Sequence, residues 1–579
     1  MNAETKSKWA DAVYQAIVTM ASQANIEADL PRPVVLTPPK PELGDIAIAM
    51  FAYSKAFHKA PAALASAVRE ALMADPSSPK GEILIEGGYL NVRLGLADLA
   101  MQLFTQARTE GFGHTSSLKG RRIMVEFSCP NTNKPLHLGH MRNDSIGSCV
   151  ARLLKACGAD VRKVNLINNR GVHICKSMLA YQKFSKGEDP ASSGIKGDHL
   201  VGEYYVKFAN WAKEDPTAEA QAQEMLEKWE AGDPETIALW TRMNGWTLDG
   251  LEESYKAMGI SFDKYYYESN TYKLGKDKIL EGLAKGVFTR EEDGSVQVDL
   301  APIKLDKKVL LRRDGTSLYI TQDIGTAIAR HEDWPFDTLI YVVASEQIYH
   351  FKVLFYILGL LGFDWAKSLY HLAYGMVYLP DGRMKSREGT VVDADELLRQ
   401  LTEMALEEIR KKDREGELDD AARTAHYVAL GAINYYLLQV NPMRDMTFNP
   451  AESLSFTGNS GPYLQYMGAR LSSILKRYEG SLDGFDPSLL TLDDERSIIK
   501  ALASYPDVLD KSAESYDPSL LCTYVFELSK VFSHWYHDTQ ILKAETTELS
   551  KARVGLCLML LETFKSAYEI IGIPFLEEM

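Results

Sequence analysis

Apolar residues recur along the chain with changing periods, and the changes divide it. Residues 6–24 carry them at helical spacing, a proline-rich stretch follows at 31–41, and 46–69 again predicts helix. Ile83-Leu84-Ile85 and Tyr89-Leu90-Asn91-Val92 flank Gly87-Gly88 and predict a hairpin. Glycine, serine and threonine at 111–120 predict a linker. From Arg121 the pattern reads strand (123–127), helix (141–158, ended by Gly158) and strand (161–168). That order predicts a parallel sheet with right-handed crossovers and a ligand at the carboxyl ends of its strands. Regularity lapses over 183–305, where a loop-like 187–197, a charged helical 204–259 and a hairpin at 287–300 predict an insertion. Apolar runs at 339–344 and 369–378 predict strands buried on both faces. Beyond Asp393, helical spacing at 427–439, 461–477, 497–510, 520–536 and 549–571 predicts a helical bundle.

Composition changes this picture little. The 579 residues are 46% hydrophobic and 25% charged, enough apolar material for several domains with full cores. The net charge of −15 argues against a nonspecific nucleic-acid binder, though not against a nucleic-acid partner met through local basic patches. The six cysteines (Cys129, Cys149, Cys157, Cys175, Cys522, Cys557) show no Cys-x-x-Cys pair and read as reduced thiols of a cytoplasmic protein, with no metal site. Residues 1–20 lack a signal-peptide core, and the longest apolar run, 355–363, is too short for a bilayer.

Candidate chemistry concentrates in two places. Residues 126–142 read Glu-Phe-Ser-Cys-Pro-Asn-Thr-Asn-Lys-Pro-Leu-His-Leu-Gly-His-Met-Arg after the apolar strand. A strand that turns tightly into a helix start presents backbone N–H groups and the positive end of the helix dipole to an anion. Gly139 admits a planar group against the backbone, and His137 and His140, three apart, share a face and can donate to phosphate. Alone, His-x-Gly-His is weak, and a loop with two surface histidines explains it better. The second place is Gly382-Arg383-Met384-Lys385-Ser386-Arg387-Glu388-Gly389, a basic loop after the last strand. Alone it is a solvated turn. Paired with the first motif across an interrupted sheet, it supplies charge for transferring phosphate groups.

The pair resembles the two signatures of class I aminoacyl-tRNA synthetases. The likeness narrows to the arginyl-tRNA synthetase family through residues 128–135 (Ser-Cys-Pro-Asn-Thr-Asn-Lys-Pro), 318–323 (Leu-Tyr-Ile-Thr-Gln-Asp), 342–347 (Val-Val-Ala-Ser-Glu-Gln), 461–466 (Gly-Pro-Tyr-Leu-Gln-Tyr) and Met579. It covers the whole chain. It implies an α/β Rossmann-like catalytic domain in two halves, 117–182 and 306–400, around an insertion at 183–305. A small α/β N-terminal domain that contacts tRNA (1–116) and an all-α anticodon-binding domain (401–579) complete it. Ser386 and Arg387 depart from the usual second signature, which continues with lysine and serine, and the resemblance implies that Lys134 substitutes for that lysine. Cys129 receives no role.

The implied reaction joins L-arginine to tRNA(Arg) through an arginyl-adenylate, with ATP and Mg2+, in a monomer that binds neither membrane nor DNA. Lys134, His137, His140 and Lys385 would stabilise the triphosphate, with Gly139 and Gly375 or Met376 against the adenosine. Asp323 would grip the guanidinium, with Tyr319 one turn earlier on the same helix face. Glu126 and Asn131 would hold the α-amino and nearby polar groups, and Gln347 would complete the pocket. Tyr463 and Arg470, two turns apart on one face, would meet anticodon bases, with Tyr536 and Met579 as further candidates. Asn91 would contact the D-loop. The resemblance also implies that arginine activation needs bound tRNA. Three rivals are weaker. A cysteine-specific relative would need zinc-ligand cysteines, a nucleotidyltransferase without tRNA would not need the bundle, and the His pair and Lys385 argue against a non-catalytic paralogue.

Overall fold

The computed structural model describes residues 3–36, 38–40, 43–380, 392–411 and 420–579. The loop at 382–389, with the proposed Lys385, lies outside the described residues.

The centre is a five-stranded parallel sheet. Its strands are β1 (Arg122–Glu126), β2 (Asp160–Ile167), β3 (Lys264–Tyr267), β4 (Thr338–Ala344) and β5 (Leu369–Tyr374), in the order β3–β2–β1–β4–β5. This is the doubly wound order, whose ligand crevice opens at the carboxyl ends of β1 and β4. Alternation sorts the β1 side chains. Ile123 and Val125 join the core under helix α1 (Leu138–Ala156), while Met124 joins the opposite core with helices α2 (Tyr319–Asp333) and α3 (Ile348–Leu360). Glu126, by the same alternation, faces α2.

Four sequence expectations change. Residues 46–49 are not helix: Ile46–Ala49 is a strand paired with Tyr89–Leu94 in a four-stranded antiparallel sheet, and helix begins only at Phe51. Ile-Ala-Ile-Ala is short enough to satisfy either period, and pairing with the hairpin decides it. Within the expected insertion, β3 belongs to the central sheet. Its Lys-Tyr-Tyr-Tyr sequence sits at a sheet edge and lacks the apolar run of a strand buried on both faces. The run at 369–378 breaks after Tyr374, and Val377–Tyr378 pairs instead with Met446–Thr447. The expected boundary at 400/401 also falls inside helix α4 (Ala394–Lys411), which is continuous there because its apolar side chains Leu397, Leu398, Leu401 and Ala405 form one buried stripe.

The C-terminal helices pack on both other parts of the chain. One apolar core runs from the N-terminal domain through α1 into the bundle. Phe104 stacks on Phe485 with centroids 4.2 Å apart, Lys6 pairs with Asp507 at 2.6 Å, and Thr115 and Ser117 both donate to Asp510.

Two glycines set the approach of the 271–275 turn to α2. A Cβ on Gly325 would lie 2.2 Å from the Leu274 carbonyl carbon, and one on Gly275, at φ +92°, 2.1 Å from the Thr321 carbonyl oxygen. Alanine in a helix interior ordinarily gains about 1 kcal/mol over glycine. Here the clash is with backbone, and overpacking costs roughly 1–3 kcal/mol. Gly325→Ala is therefore expected to destabilise the protein, read as a lowered urea midpoint; an unchanged or raised midpoint would refute the packing argument.

Candidate active site

At the end of β1 the chain reverses through Ser128 (φ +74°) and Cys129 (φ +51°), two non-glycine residues in the left-handed region. Such positions cost on the order of 1–3 kcal/mol each and persist only where the surroundings over-determine them. Here the Ser128 N–H donates to Asn143 Oδ1 at 2.5 Å, the Cys129 N–H donates to Asn165 Oδ1 at 3.1 Å, and the Ser128 and Tyr255 hydroxyls bond at 2.7 Å. Beyond the reversal Asn131 bridges to Asn168 beside β2, leaving its side chain exposed at the carboxyl edge of the sheet.

The helix α1 then starts at the His pair. His137 is its N-cap: the imidazole Nδ1 accepts from the Gly139 N–H at 3.1 Å, and His140 Nδ1 accepts from the His137 N–H at 3.2 Å. The Leu138 N–H donates to Val392 and the His140 N–H to the His137 carbonyl. So the first backbone amides, expected to cradle an anion, are already satisfied within the protein. What remains for a phosphate is the Nε2–H of each ring, since an accepting Nδ1 fixes that tautomer. Gly139 has a different use from the expected one as well. A Cβ there would lie 2.9 Å from His137 Cε1, so glycine admits the cap's own ring. Burial, aided by Lys134, pushes His137 down to about 4, and burial with His137 and Lys134 holds His140 well below the ordinary range. Both rings are neutral donors at pH 7. The positive charge is that of Lys134, whose pKa burial lowers and which has no ion-pair partner among the described residues.

The opposite wall is the end of β5. A Cβ on Gly375 would lie 2.5 Å from the Arg444 carbonyl carbon, so this glycine is required for close packing. The Gly375 N–H donates to Pro442 and the Met376 N–H to Asp445 Oδ1 (2.7 Å), leaving the exposed Met376 side chain as the surface available to an adenosine. The sequence reading passed over Arg142. Fully buried on α1, it donates to the carbonyls of Gly375 (2.6 Å), Met376 (2.8 Å), Pro442 (3.3 Å) and Arg444 (2.6 Å). Nothing in the local pattern signalled it, since the buried part of α1 also holds Asn143, Asp144, Ser145 and Ser148.

Across the crevice stand three carboxylates. Glu126, 4% exposed, forms an ion pair with Arg330 of α2. Burial pushes its carboxyl up while Arg330 pulls it down, and Glu126 in turn more than offsets the burial of Arg330 and keeps that guanidinium charged. Asp323, two turns before Arg330, receives His350 Nε2 on Oδ2 at 2.6 Å, so a guanidinium fork meets a carboxylate with one oxygen already engaged. Glu268, at the end of β3, was not foreseen. Burial raises it to about 7, opposed by Arg170 and reinforced by the nearby Asp323 charge. Tyr319 is 72% exposed at the mouth, and Gln347 is exposed after β4. Glu126, Asp323 and Glu268 are thus near enough for their charges to act on one another, and Lys134, His137 and His140 form a second such group.

The nucleic-acid candidates divide. Arg470 lies between Tyr466 and Tyr536, 4.6 and 4.5 Å from their ring centroids, and donates to the Tyr466 hydroxyl at 2.6 Å. Tyr463 instead packs edge-on to Phe526, and Met579 packs against the core that contains α4. Tyr466 was not foreseen. Asn91 does not face solvent: it is 2% exposed on an inner strand, between Ala47 and Leu84, so a direct contact to RNA is not available to it here.

Comparison with known proteins follows this geometry. Residues 104–450 match the family "tRNA synthetases class I (R), catalytic domain", residues 464–579 a "DALR anticodon binding domain" and residues 7–94 an "Arginyl tRNA synthetase N terminal domain". The chain is 54% identical to the arginine–tRNA ligase of Treponema denticola, covering 100% of both, and 49% identical to that of Treponema pallidum, covering 99% of both. Among solved structures, the Thermus thermophilus arginyl-tRNA synthetase superposes with a TM-score of 0.79 at 25% identity, over 99% of this chain and 100% of that one. Through these matches along its whole length, the chain belongs to the arginyl-tRNA synthetase family of class I.

Proposed function

We propose that this protein attaches L-arginine to tRNA(Arg) at the expense of ATP, acting as a cytoplasmic monomer. The observation that carries the reading is the pair of groups near the end of β1, Glu126, Asp323 and Glu268 in one and Lys134 with two neutral imidazoles in the other. Carboxylates suit the guanidinium, and Lys134 with two Nε2–H donors suits the triphosphate. The arginine carboxylate attacks the α-phosphorus, the bond to the β-phosphate oxygen breaks, and pyrophosphate leaves. The terminal ribose hydroxyl of the tRNA then attacks the arginyl carbonyl and AMP leaves. Neither step needs a protein nucleophile, so the side chains contribute position and charge stabilisation. No helix among the described residues is long and apolar enough to cross a membrane.

Mg2+ belongs to this proposal only as a companion of the nucleotide. The described carboxylate–histidine group with metal-ligand spacing is Asp198, His199 and Asp395, and the Lys196 ammonium lies inside it, 3.1 Å from Asp198 and 2.7 Å from Asp395. With the Lys196 ammonium already inside it, that group assigns no ligand to Mg2+. In nucleotide sites this ion is held largely by substrate phosphates and water. Lys385, Asn131 and Gln347 keep the roles given by resemblance. Arg470 with Tyr536, supported by Tyr466, is proposed to stack on anticodon bases, with Tyr463 and Met579 shaping that surface.

Three outcomes follow from this reading. In ATP–pyrophosphate exchange with tRNA(Arg) present, His140→Ala and Lys134→Ala are each expected to lower the rate by about 10²–10³, the usual loss on removing one charge-stabilising donor; near-wild-type exchange would reject the phosphate assignment. Asp323→Asn is expected to raise the KM for arginine by roughly one to two orders of magnitude, since a hydrogen bond to a charged group contributes about 1.5–3 kcal/mol. An unaltered KM would point to another pocket. Glu268, at about 7, is ionised above that pH and neutral below it. The arginine KM should therefore rise by up to about tenfold from pH 8 to pH 6, and Glu268→Gln should flatten the profile; a profile that persists in the variant would exclude Glu268 as its source.

A further inference from the structure

Two helices of the insertion, Gly197–Glu214 and Pro234–Met258, lie along the chain that leads into the histidine pair. The Thr247 hydroxyl donates to the Thr132 carbonyl at 3.3 Å, and the Thr132 hydroxyl donates to Asn244 Oδ1. A Cβ on Gly202 would lie 3.0 Å from Pro135 Cδ and 3.6 Å from Lys134 Cα, so the first of these helices runs directly against the backbone that carries Lys134. Residues 136–138 are then paired antiparallel with 392–394. The Leu138 N–H donates to the Val392 carbonyl at 2.9 Å, the Ala394 N–H donates to the Leu136 carbonyl at 3.0 Å, and His137 stands opposite Asp393. The backbone on either side of the His137 cap is thus set by a segment distant in the chain.

That segment is held in turn by the insertion. Asp395, in the first turn of α4, receives Lys196 Nζ at 2.7 Å and His199 Nε2 at 3.0 Å on Oδ2, and the Ser254 hydroxyl at 2.7 Å on Oδ1. Lys196 also donates to the Ser254 hydroxyl at 2.5 Å and to the buried Asp198 carboxylate at 3.1 Å. Asp393 caps α4 by accepting from the Glu396 N–H at 2.9 Å, and its other oxygen lies 3.6 Å from His199 Nε2. Burial opposes a charge on His199, but Asp395, Asp393 and Asp198 overcome it and raise its pKa. Burial likewise pushes Asp395 up, and the bonds from His199, Lys196 and Ser254 outweigh it and hold that carboxyl well below the usual range. Two bases of the insertion and the two acids that open α4 therefore share one network of charge-assisted hydrogen bonds, the stronger kind.

We propose that Lys196, His199 and Ser254 are positioning residues of the phosphate site: through Asp393 and Asp395 they hold residues 392–394 against 136–138, and so fix where Lys134, His137 and His140 present their donors to ATP. The proposal rests on the aminoacylation reading above. It is tested on the full-length chain by ATP–pyrophosphate exchange with tRNA(Arg) present, in His199→Ala, Asp395→Asn and the double variants His199→Ala/Asp395→Asn and His199→Ala/His140→Ala, with urea midpoints measured alongside. Each single variant is expected to lower kcat by about tenfold to a hundredfold, the scale on which a displaced catalytic group acts, with the KM for arginine unchanged. Because the two partners belong to one network, His199→Ala/Asp395→Asn should lose little more than the worse single variant. His199→Ala should also cost less in a chain that already lacks the His140 ring than in wild type. His199→Gln, which keeps a donor toward Asp395, is expected to recover part of the lost rate. Single variants with wild-type exchange would overturn the proposal. So would a raised arginine KM at unchanged kcat, or full additivity of His199→Ala with His140→Ala, either of which would place the effect elsewhere. A loss of rate that follows a lowered urea midpoint and is not recovered in His199→Gln would reduce the network to a stabilising one and overturn the proposal as well. A wild-type chain without arginine-dependent exchange would refute the function itself, and this proposal with it.

Discussion

The buried guanidinium of Arg142 holds the catalytic centre together. Its four bonds reach backbone carbonyls on two separate segments, the exit of β5 and the turn at 442–446, from a position on the helix that carries the His pair. A buried guanidinium without such acceptors would cost several kcal/mol, so the three segments are held in register or the charge is stranded. The consequence is that the start of α1 with its histidine pair, the exit of β5 and the root of the helical bundle are tied to one another. The carboxylate side is built separately, on α2 and the segment after β3, and meets them across β1 and β4.

That division explains the use of acid and base. The phosphate side carries its donors as neutral imidazoles, whose Nδ1 atoms are consumed in capping α1. Protonation would cost both the cap and the burial, so the low pKa values and the helix start are the same fact. On the carboxylate side one acid, Glu126, is already balanced by Arg330, while Asp323 and Glu268 share a region with less compensation. A second guanidinium, that of the substrate, is the natural complement of such a surplus.

What the amino-acid sequence made legible was whatever shows itself in a local period or a spaced motif. The five-stranded parallel core was readable from the apolar runs of β1, β2, β4 and β5, and the bundle from helical spacing. The residues around His137 and His140 and the region of Asp323 stood out by their spacing, and their roles in the site are those proposed above. β3 was not legible, because an edge strand of lysine and tyrosines has no buried run to display. Arg142, His350 and Glu268 were not, because each acquires its partner from residues distant in the chain: Arg142 from Gly375 and Arg444, His350 from Asp323, Glu268 from Arg170 and Asp323. Asn91 failed in the other direction, since a motif match says nothing about which strand of a sheet will cover it.

The backbone contact between Gly275 and Gly325 of α2 bears on how the acids of the site are held. Two backbones that touch with no side chain between them have no rotamers to absorb a displacement, and packed protein is nearly incompressible. The segment from Glu268 to Gly275 and the first turns of α2 therefore keep a fixed separation, and with it the spacing between Glu268 and Asp323.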